Sequence, residues 1–307
     1  MTEAGMTRMS GVLCPVVTPF DESLSPDPDR LIRQCRWLLS QNVGLAVFGT
    51  NSEANSLSLE EKMMLLDRLV DAGIDTNRMM PGTGCCALTE TVKLTEHAVR
   101  LGCAGTLMLP PFYYKDVSDD GLFASFAEVI ERVGSASLRI YLYHIPPVSQ
   151  VGISLDLIER LIKAYPDNVV GIKDSSGDWD NTNAMLERHW DDFRVFAGAE
   201  TFLLQNMRGG GAGCISATAN INPAAIDHLY QEWQSAEAEG LQKELDEIRG
   251  TAMAYPMIPA LKATVAHFSK DEQWRTVRPP LVALADDQRT ALIEALDQKG
   301  FDMPGLS

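Results

Sequence analysis

Short apolar runs alternate with longer segments of helical period along the first ~220 residues. The runs Val12–Thr18, Gly44–Gly49, Arg78–Gly82, Gly105–Leu109, Arg139–Tyr143, Val169–Lys173, Arg194–Gly198 and Gly213–Ala217 read as eight β-strands. Between them lie amphipathic stretches with recognisable ends. Ser58-Leu59-Glu60-Glu61 is a capping box, Leu59, Met63, Leu66 and Val70 make one stripe, and Gly73 stops the helix. Ser154 caps a second segment, whose Leu155, Ile158 and Leu161 share a face and which Pro166 ends. Eight β-then-α units with short connections predict an α/β protein, a (β/α)8 TIM barrel rather than an open doubly wound sheet. The run Gly209-Gly210-Gly211-Ala212-Gly213 precedes a strand instead of following one, so it reads as a tight turn and not as a phosphate loop. Beyond about residue 222 the pattern is wholly helical, through Glu232–Gly250, Pro259–Phe268 and Asp287–Lys299. The expected organisation is a barrel over residues 1–222, its eighth helix continuing to about 235, and a C-terminal helical region over 236–307 packed on the barrel.

Composition narrows the partners. The chain has 307 residues, 45% of them apolar, and a net charge of −16 from 26 Lys+Arg against 42 Asp+Glu. That charge repels phosphate backbones and anionic membranes, so neither nucleic acid nor membrane is expected as a partner. The six cysteines, Cys14, Cys35, Cys85, Cys86, Cys103 and Cys214, include no C-x-x-C pair, which fits a reduced, cytoplasmic compartment. No signal-peptide pattern opens the chain and no run approaches the ~18 apolar residues of a membrane span.

A barrel of this kind places its working residues at the C-terminal ends of the strands. There, Val169-Val170-Gly171-Ile172-Lys173 delivers an amine to the end of an apolar strand. Desolvation disfavours an ammonium ion, and a neutral lysine attacks carbonyls to form a Schiff base. The plainer alternative is a lysine that snorkels from a strand end into water. Gly49-Thr50-Asn51-Ser52-Glu53 offers hydroxyl and backbone donors suited to a carboxylate, although the same residues suit any turn. Pro110-Pro111-Phe112-Tyr113-Tyr114-Lys115 follows another strand, and Tyr143 ends a third on the face it shares with Tyr141. One amine with several hydroxyls on a single rim is what imine chemistry requires, because carbinolamine formation, dehydration and enamine protonation each move a proton. A metal mechanism is disfavoured: His97, His144, His189, His228 and His267 are scattered and only His144 falls at a strand end, so no metal site is expected. No G-x-S-x-G elbow supports a hydrolase.

These residues resemble the dihydrodipicolinate synthase and N-acetylneuraminate lyase family of pyruvate-dependent class I aldolases. The similarity runs from Val17-Thr18-Pro19-Phe20 through Gly49–Glu53, Pro111-Phe112-Tyr113, Tyr143-His144-Ile145-Pro146 and Gly171-Ile172-Lys173-Asp174 to Gly213–Asn220, Ile258–Lys262 and Val277–Leu281. The resemblance implies a homotetramer built as a dimer of dimers and no cofactor beyond a covalent imine on Lys173. It implies Tyr143 as a proton relay, Thr50 as a hydroxyl relay that also holds the pyruvate carboxylate, and Tyr113 as a tyrosine inserted into a neighbouring subunit's site. Ile215 corresponds to a position lining the pyruvate pocket, while Asn51, Ser175, Gly198 and Glu200 fall where relatives contact substrate.

The departures bear on the substrate. Dihydrodipicolinate synthases usually carry an arginine shortly after the tyrosine matched by Tyr143, but Pro146–Gly152 contains no cation. Asn51 and Ser52 replace the second threonine and the glycine of the usual turn, and Ala217 stands where sialic acid lyases have serine. The leading expectation is a lyase or aldolase that cleaves or condenses a pyruvate-derived 2-oxo acid with a small aldehyde. The synthase of pyruvate with aspartate semialdehyde, a 2-keto-3-deoxy sugar acid dehydratase, and a non-catalytic 2-oxo-acid-binding paralogue are the alternatives.

Overall fold

Seven parallel strands form one sheet in the computed structural model, which describes residues 8–306. They are β1 (Gly11–Cys14), β2 (Gly44–Leu45), β3 (Thr106–Met108), β4 (Ile140–His144), β5 (Val169–Asp174), β6 (Arg194–Ala197) and β7 (Gly213–Ile215), in the spatial order β2-β1-β7-β6-β5-β4-β3. The predicted strand Arg78–Gly82 is not one of them. It lies between the two edges and bonds to both, with Met80 N donating to Leu45 O (2.8 Å), Gly82 N to Val47 O (2.7 Å), Leu107 N to Pro81 O (2.9 Å) and Thr83 N to Leu107 O (3.0 Å). Pro81 has no N–H, so the rung its nitrogen would make toward β3 is missing and only isolated bridges remain. Proline also shortens β1: the predicted run to Thr18 stops pairing at Cys14, just before Pro15.

One buried cluster draws on every strand but β2, on Ala46 just after β2 and on that bridging segment: Leu13, Ala46, Met80, Leu107, Tyr141, Tyr143, Val170, Phe196, Ala212 and Ile215. Tyr141 dominates it, fully buried and packed edge-on against Phe196 at 5.9 Å. Its neighbours on either side are glycines for a steric reason. A Cβ on Gly105 would lie 2.5 Å from the Tyr141 ring, and one on Gly171 would lie 2.6 Å from the ring and 2.6 Å from Arg194 O.

Helices cover the outside. They are α1 (Pro28–Ser40), α2 (Leu59–Asp71), α3 (Leu88–Arg100), α4 (Asp119–Val133), the single turn α5 (Pro146–Ser149), α6 (Leu155–Ala164), α7 (Trp179–Leu186), α8 (Leu203–Arg208) and α9 (Pro223–Gln231). The Ser58 capping box and the Ser154 cap form as expected. The buried stripe of α2 is rotated from the predicted one, with Leu65, Leu66 and Leu69 inside and Met64 exposed. The continuous run Met63-Met64-Leu65-Leu66 permits either face, and packing against the strands selects one. α9 ends at Gln231, short of 235, where Ser235 N turns back onto Glu232 O. Then come α10 (Ala238–Met253), α11 (Met257–Ser269) and α12 (Asp286–Asp297), which pack on one another, with α10 also on α9 and α11 on the turn Ala217–Asn220. The glycine run forms the expected turn before β7.

Gly171→Ala is expected to destabilise the protein by about 1–3 kcal/mol through overpacking against Tyr141. Thermal or urea unfolding of the variant beside the parent checks it.

Candidate active site

Tyr143 and Lys173 are register partners across β4 and β5, so the pleat sends both side chains to the same face at the same height. Lys173 is only 2% exposed, and its Nζ donates to Tyr143 Oη at 3.4 Å while lying 4.4 Å from that ring's centre. Thr50 opens the turn after β2 and brings its Oγ1 to 3.1 Å from Tyr143 Oη. An amine and two hydroxyls are thereby joined in one chain, Lys173–Tyr143–Thr50, at the C-terminal end of the sheet.

Tyr141, two residues before Tyr143, belongs to the other end of the same interior. Its hydroxyl accepts from Met9 N at 2.7 Å, and burial pushes it up to about 12. Alternation along β5 turns Asp174 away from Lys173, and its carboxylate accepts from Thr182 Oγ1 (2.6 Å), Ser176 N (2.9 Å) and Asn181 Nδ2 (3.0 Å). His144 is buried beside it, with Nδ1 accepting from Ile153 N at 3.0 Å. Burial holds His144 below the ordinary histidine value, and the Asp174 carboxylate opposes that only in part. The buried thiols of Cys14 and Cys214 are pushed well up by burial, which makes them poor nucleophiles.

The other predicted residues divide. Ser175 and Gly198 meet where β4, β5 and β6 end: Ser175 N donates to His144 O (2.7 Å) and Gly198 N to Asp174 O (2.6 Å). A Cβ on Gly198 would lie 2.2 Å from Ser175 Oγ, so only glycine fits. Ile215 is buried at the end of β7 in the interior cluster, and Asn51 is half-buried in the turn beside Thr50. Glu200 departs from the substrate contact expected of it. Its carboxylate is buried and taken up by the hydroxyls of Ser216 and Thr218 and by Arg249 Nη1 at 2.9 Å. Tyr113 is not gathered into the site either: it is 75% exposed and stacks edge-on with Tyr114 at 5.4 Å.

Sequence reading assigned no role to Lys262, Arg278, Glu53 or Arg249, all of which support the rim. Lys262 Nζ donates to Glu53 Oε1 (2.6 Å) and to Thr18 O (2.8 Å), and Arg278 N donates to Glu53 Oε2 (3.0 Å). Lys262 and Arg278 sit in Ile258–Lys262 and Val277–Leu281, segments whose only sequence signal is the family resemblance. Arg249 is one of many charges on an amphipathic helix and carries no local signal. Among the described residues no group of three or more His, Cys, Asp and Glu side chains is placed to hold a metal ion. No helix among the described residues is long and apolar enough to cross a membrane.

A buried lysine at the end of a central strand, bonded to a tyrosine and through it to a threonine, thus sits at the C-terminal end of a parallel α/β sheet. The profile of the Dihydrodipicolinate synthetase family matches residues 8–299, and the chain belongs to that family and is a lyase of it. It is 32% identical over 297 residues to a 4-hydroxy-tetrahydrodipicolinate synthase of Methanococcoides burtonii, covering 94% of this chain and 98% of that protein. An uncharacterized DapA-like lyase of Chloroflexus aurantiacus is 29% identical over 296 residues, 95% of this chain and 98% of the relative. The crystal structure of dihydrodipicolinate synthase from Agrobacterium tumefaciens superposes with a TM-score of 0.84 at 33% identity, covering 94% of this chain and 98% of that one.

His144 supplies a pH prediction. With its folded value below the ordinary 6.5, the unfolded chain binds the proton first, so stability is lost as pH falls through that region. Thermal midpoints should drop on acidification from neutral pH, and drop less in His144→Asn.

Proposed function

We propose that this protein is a Schiff-base-forming class I lyase that cleaves or condenses a pyruvate-derived 2-oxo acid with a small aldehyde. The observation that carries this reading is the buried Lys173 bonded to Tyr143, which is itself bonded to Thr50. Lys173 Nζ adds to the ketone carbon of the oxo acid, and the carbinolamine loses water as Tyr143 Oη protonates the departing hydroxyl. The resulting imine accepts the electron pair when the carbon–carbon bond breaks, and the hydroxyl of the departing fragment gives its proton back to Tyr143 Oη as it becomes the aldehyde. The enamine that remains takes a proton at carbon, and water releases pyruvate and the free amine. No external cofactor is needed for these steps. Thr50 passes the proton to and from Tyr143 and orients the carboxylate with the turn beside it.

The fold around that site is read as a closed (β/α)8 barrel over residues 1–222, with 236–307 as a helical extension. The bridging segment 79–82 and the interior cluster shared by six strands and Ala46 support closure. The exposed Tyr113 supports a homo-oligomer, a dimer of dimers, in which this tyrosine completes a neighbour's site. Ser175 and Gly198 are assigned to the distal part of the substrate, Asn51 to substrate binding, Ile215 to the pyruvate pocket, and a reduced, cytoplasmic setting to the protein.

The relative named 4-hydroxy-tetrahydrodipicolinate synthase favours a second reading, condensation of pyruvate with aspartate semialdehyde. Against it, the segment Pro146–Gly152 supplies no cation for a second carboxylate, and Lys115 nearby has its ammonium on the carbonyls of Phe112 and Ser149. Coupling the two substrates to a reductase separates the readings, since the leading one expects no product. Dehydration of a 2-keto-3-deoxy sugar acid would use the same imine.

Incubation with pyruvate and borohydride should add one stable mass to the chain at Lys173, absent in Lys173→Met; an unmodified lysine would overturn the assignment. Tyr143→Phe should lower turnover of whichever oxo acid is cleaved by about 10²–10³-fold, the usual worth of general acid–base help. Steady-state rates across an oxo-acid panel measure it.

A further inference from the structure

The turn carrying Thr50 is short, and its Ser52 and Glu53 are bonded into a buried polar cluster. Gly49 N donates to Ser52 Oγ (3.2 Å), and Thr18 Oγ1 donates to Ser52 O (2.6 Å). Glu53 ends the turn in the left-handed region at φ 55°, which a non-glycine residue adopts only when its surroundings hold it there. What holds it is Lys262. The side chains of Lys262 and Glu53 are both 0% exposed, and the ammonium bridges Glu53 Oε1 and the carbonyl of Thr18, the residue whose hydroxyl grips Ser52. The second carboxylate oxygen accepts from Arg278 N, and the Phe20 ring lies 4.5 Å from Lys262 Nζ and 4.7 Å from Arg278 Cζ.

A fully buried ion pair is a costly way to hold a loop. Burial lowers Lys262 to about 8 even with the Glu53 carboxylate raising it, and apolar side chains of similar volume commonly stabilise as well. What an apolar pair cannot do is fix a turn in direction, because only hydrogen bonds of set length place Glu53 relative to both Thr18 and α11. The one side chain of this turn that reaches the reacting groups is Thr50, 3.1 Å from Tyr143 Oη, and a displacement of about 1 Å at such a contact costs on the order of 10²-fold in rate.

We propose that Glu53 and Lys262 are positioning residues that set the Thr50–Tyr143 proton relay from outside the site. The proposal rests on the reading of Lys173 as the Schiff-base lysine. The experiment follows the rate of pyruvate trapping by borohydride, by intact mass, in the full-length parent, in Glu53→Gln/Lys262→Met, in Thr50→Val, and in the triple variant. In the double variant Lys173 should still be trapped to completion but about 10²-fold more slowly. Thr50→Val should slow the parent yet add nothing further in the double background. Val265→Ala, which opens a cavity in the same helix, should lower the thermal midpoint without slowing trapping. A parental rate in the double variant, or a full further loss on adding Thr50→Val, overturns the proposal. Should the double variant fail to fold, Lys262→Arg retains the charge with a displaced donor; slowed trapping supports the role, and a parental rate overturns it. A parent that gains no mass overturns the Schiff-base reading itself, and the positioning role with it.

Discussion

An amine buried at the end of a central strand is the constraint around which this protein is arranged. Lys173 is almost without contact with water, and in the described structure its nitrogen meets a tyrosine hydroxyl and the face of the same ring. A polar group in that position is tolerable only where its neighbours offer directed partners. β4 supplies them because its register sets Tyr143 beside Lys173, and the turn after β2 extends the chain of hydroxyls by one. The interior below is tightly filled: Tyr141 occupies the space left by Gly105 and Gly171, so neither glycine can carry a side chain without displacing that ring.

The rim is held in a different manner. Two ion pairs with little exposure reach from the C-terminal helices to loops at the strand ends: Lys262 of α11 to Glu53, and Arg249 of α10 to Glu200. Pairs of this kind return little net stability once desolvation is counted, and what they confer is direction. The first fixes the turn that bears Thr50. The second gathers Ser216 and Thr218, immediately after β7, around a carboxylate that would otherwise face the rim. The helices beyond residue 236 thus contribute to the site without placing a side chain in the chain Lys173–Tyr143–Thr50.

Membership of the Dihydrodipicolinate synthetase family accounts for the class of chemistry, and the residues around the relay bear on the partner substrate. Gly198 is packed so closely on Ser175 and on the Asp174 carbonyl that it cannot enlarge. The segment after Tyr143 forms the single turn α5, with Ser149 Oγ bonded to Ile145 O and Val151 O, and presents no charge.

Periodicity and turn chemistry made much of the architecture legible in the sequence. The strand order along the chain, the caps at Ser58 and Ser154, the glycine turn before β7 and the placement of Lys173 and Tyr143 at strand ends all follow from local rules that hold wherever the segment is placed. Tertiary structure decided what local rules leave degenerate. It chose which face of the Met63–Leu66 run is buried, reduced the strand around Pro81 to a pair of bridges, and turned Glu200 inward while leaving Tyr113 outside. It also joined Glu53 to Lys262 across 209 positions of sequence. A charge on an amphipathic helix looks the same whether it meets water or a buried partner, and only the folded chain brings that partner to it.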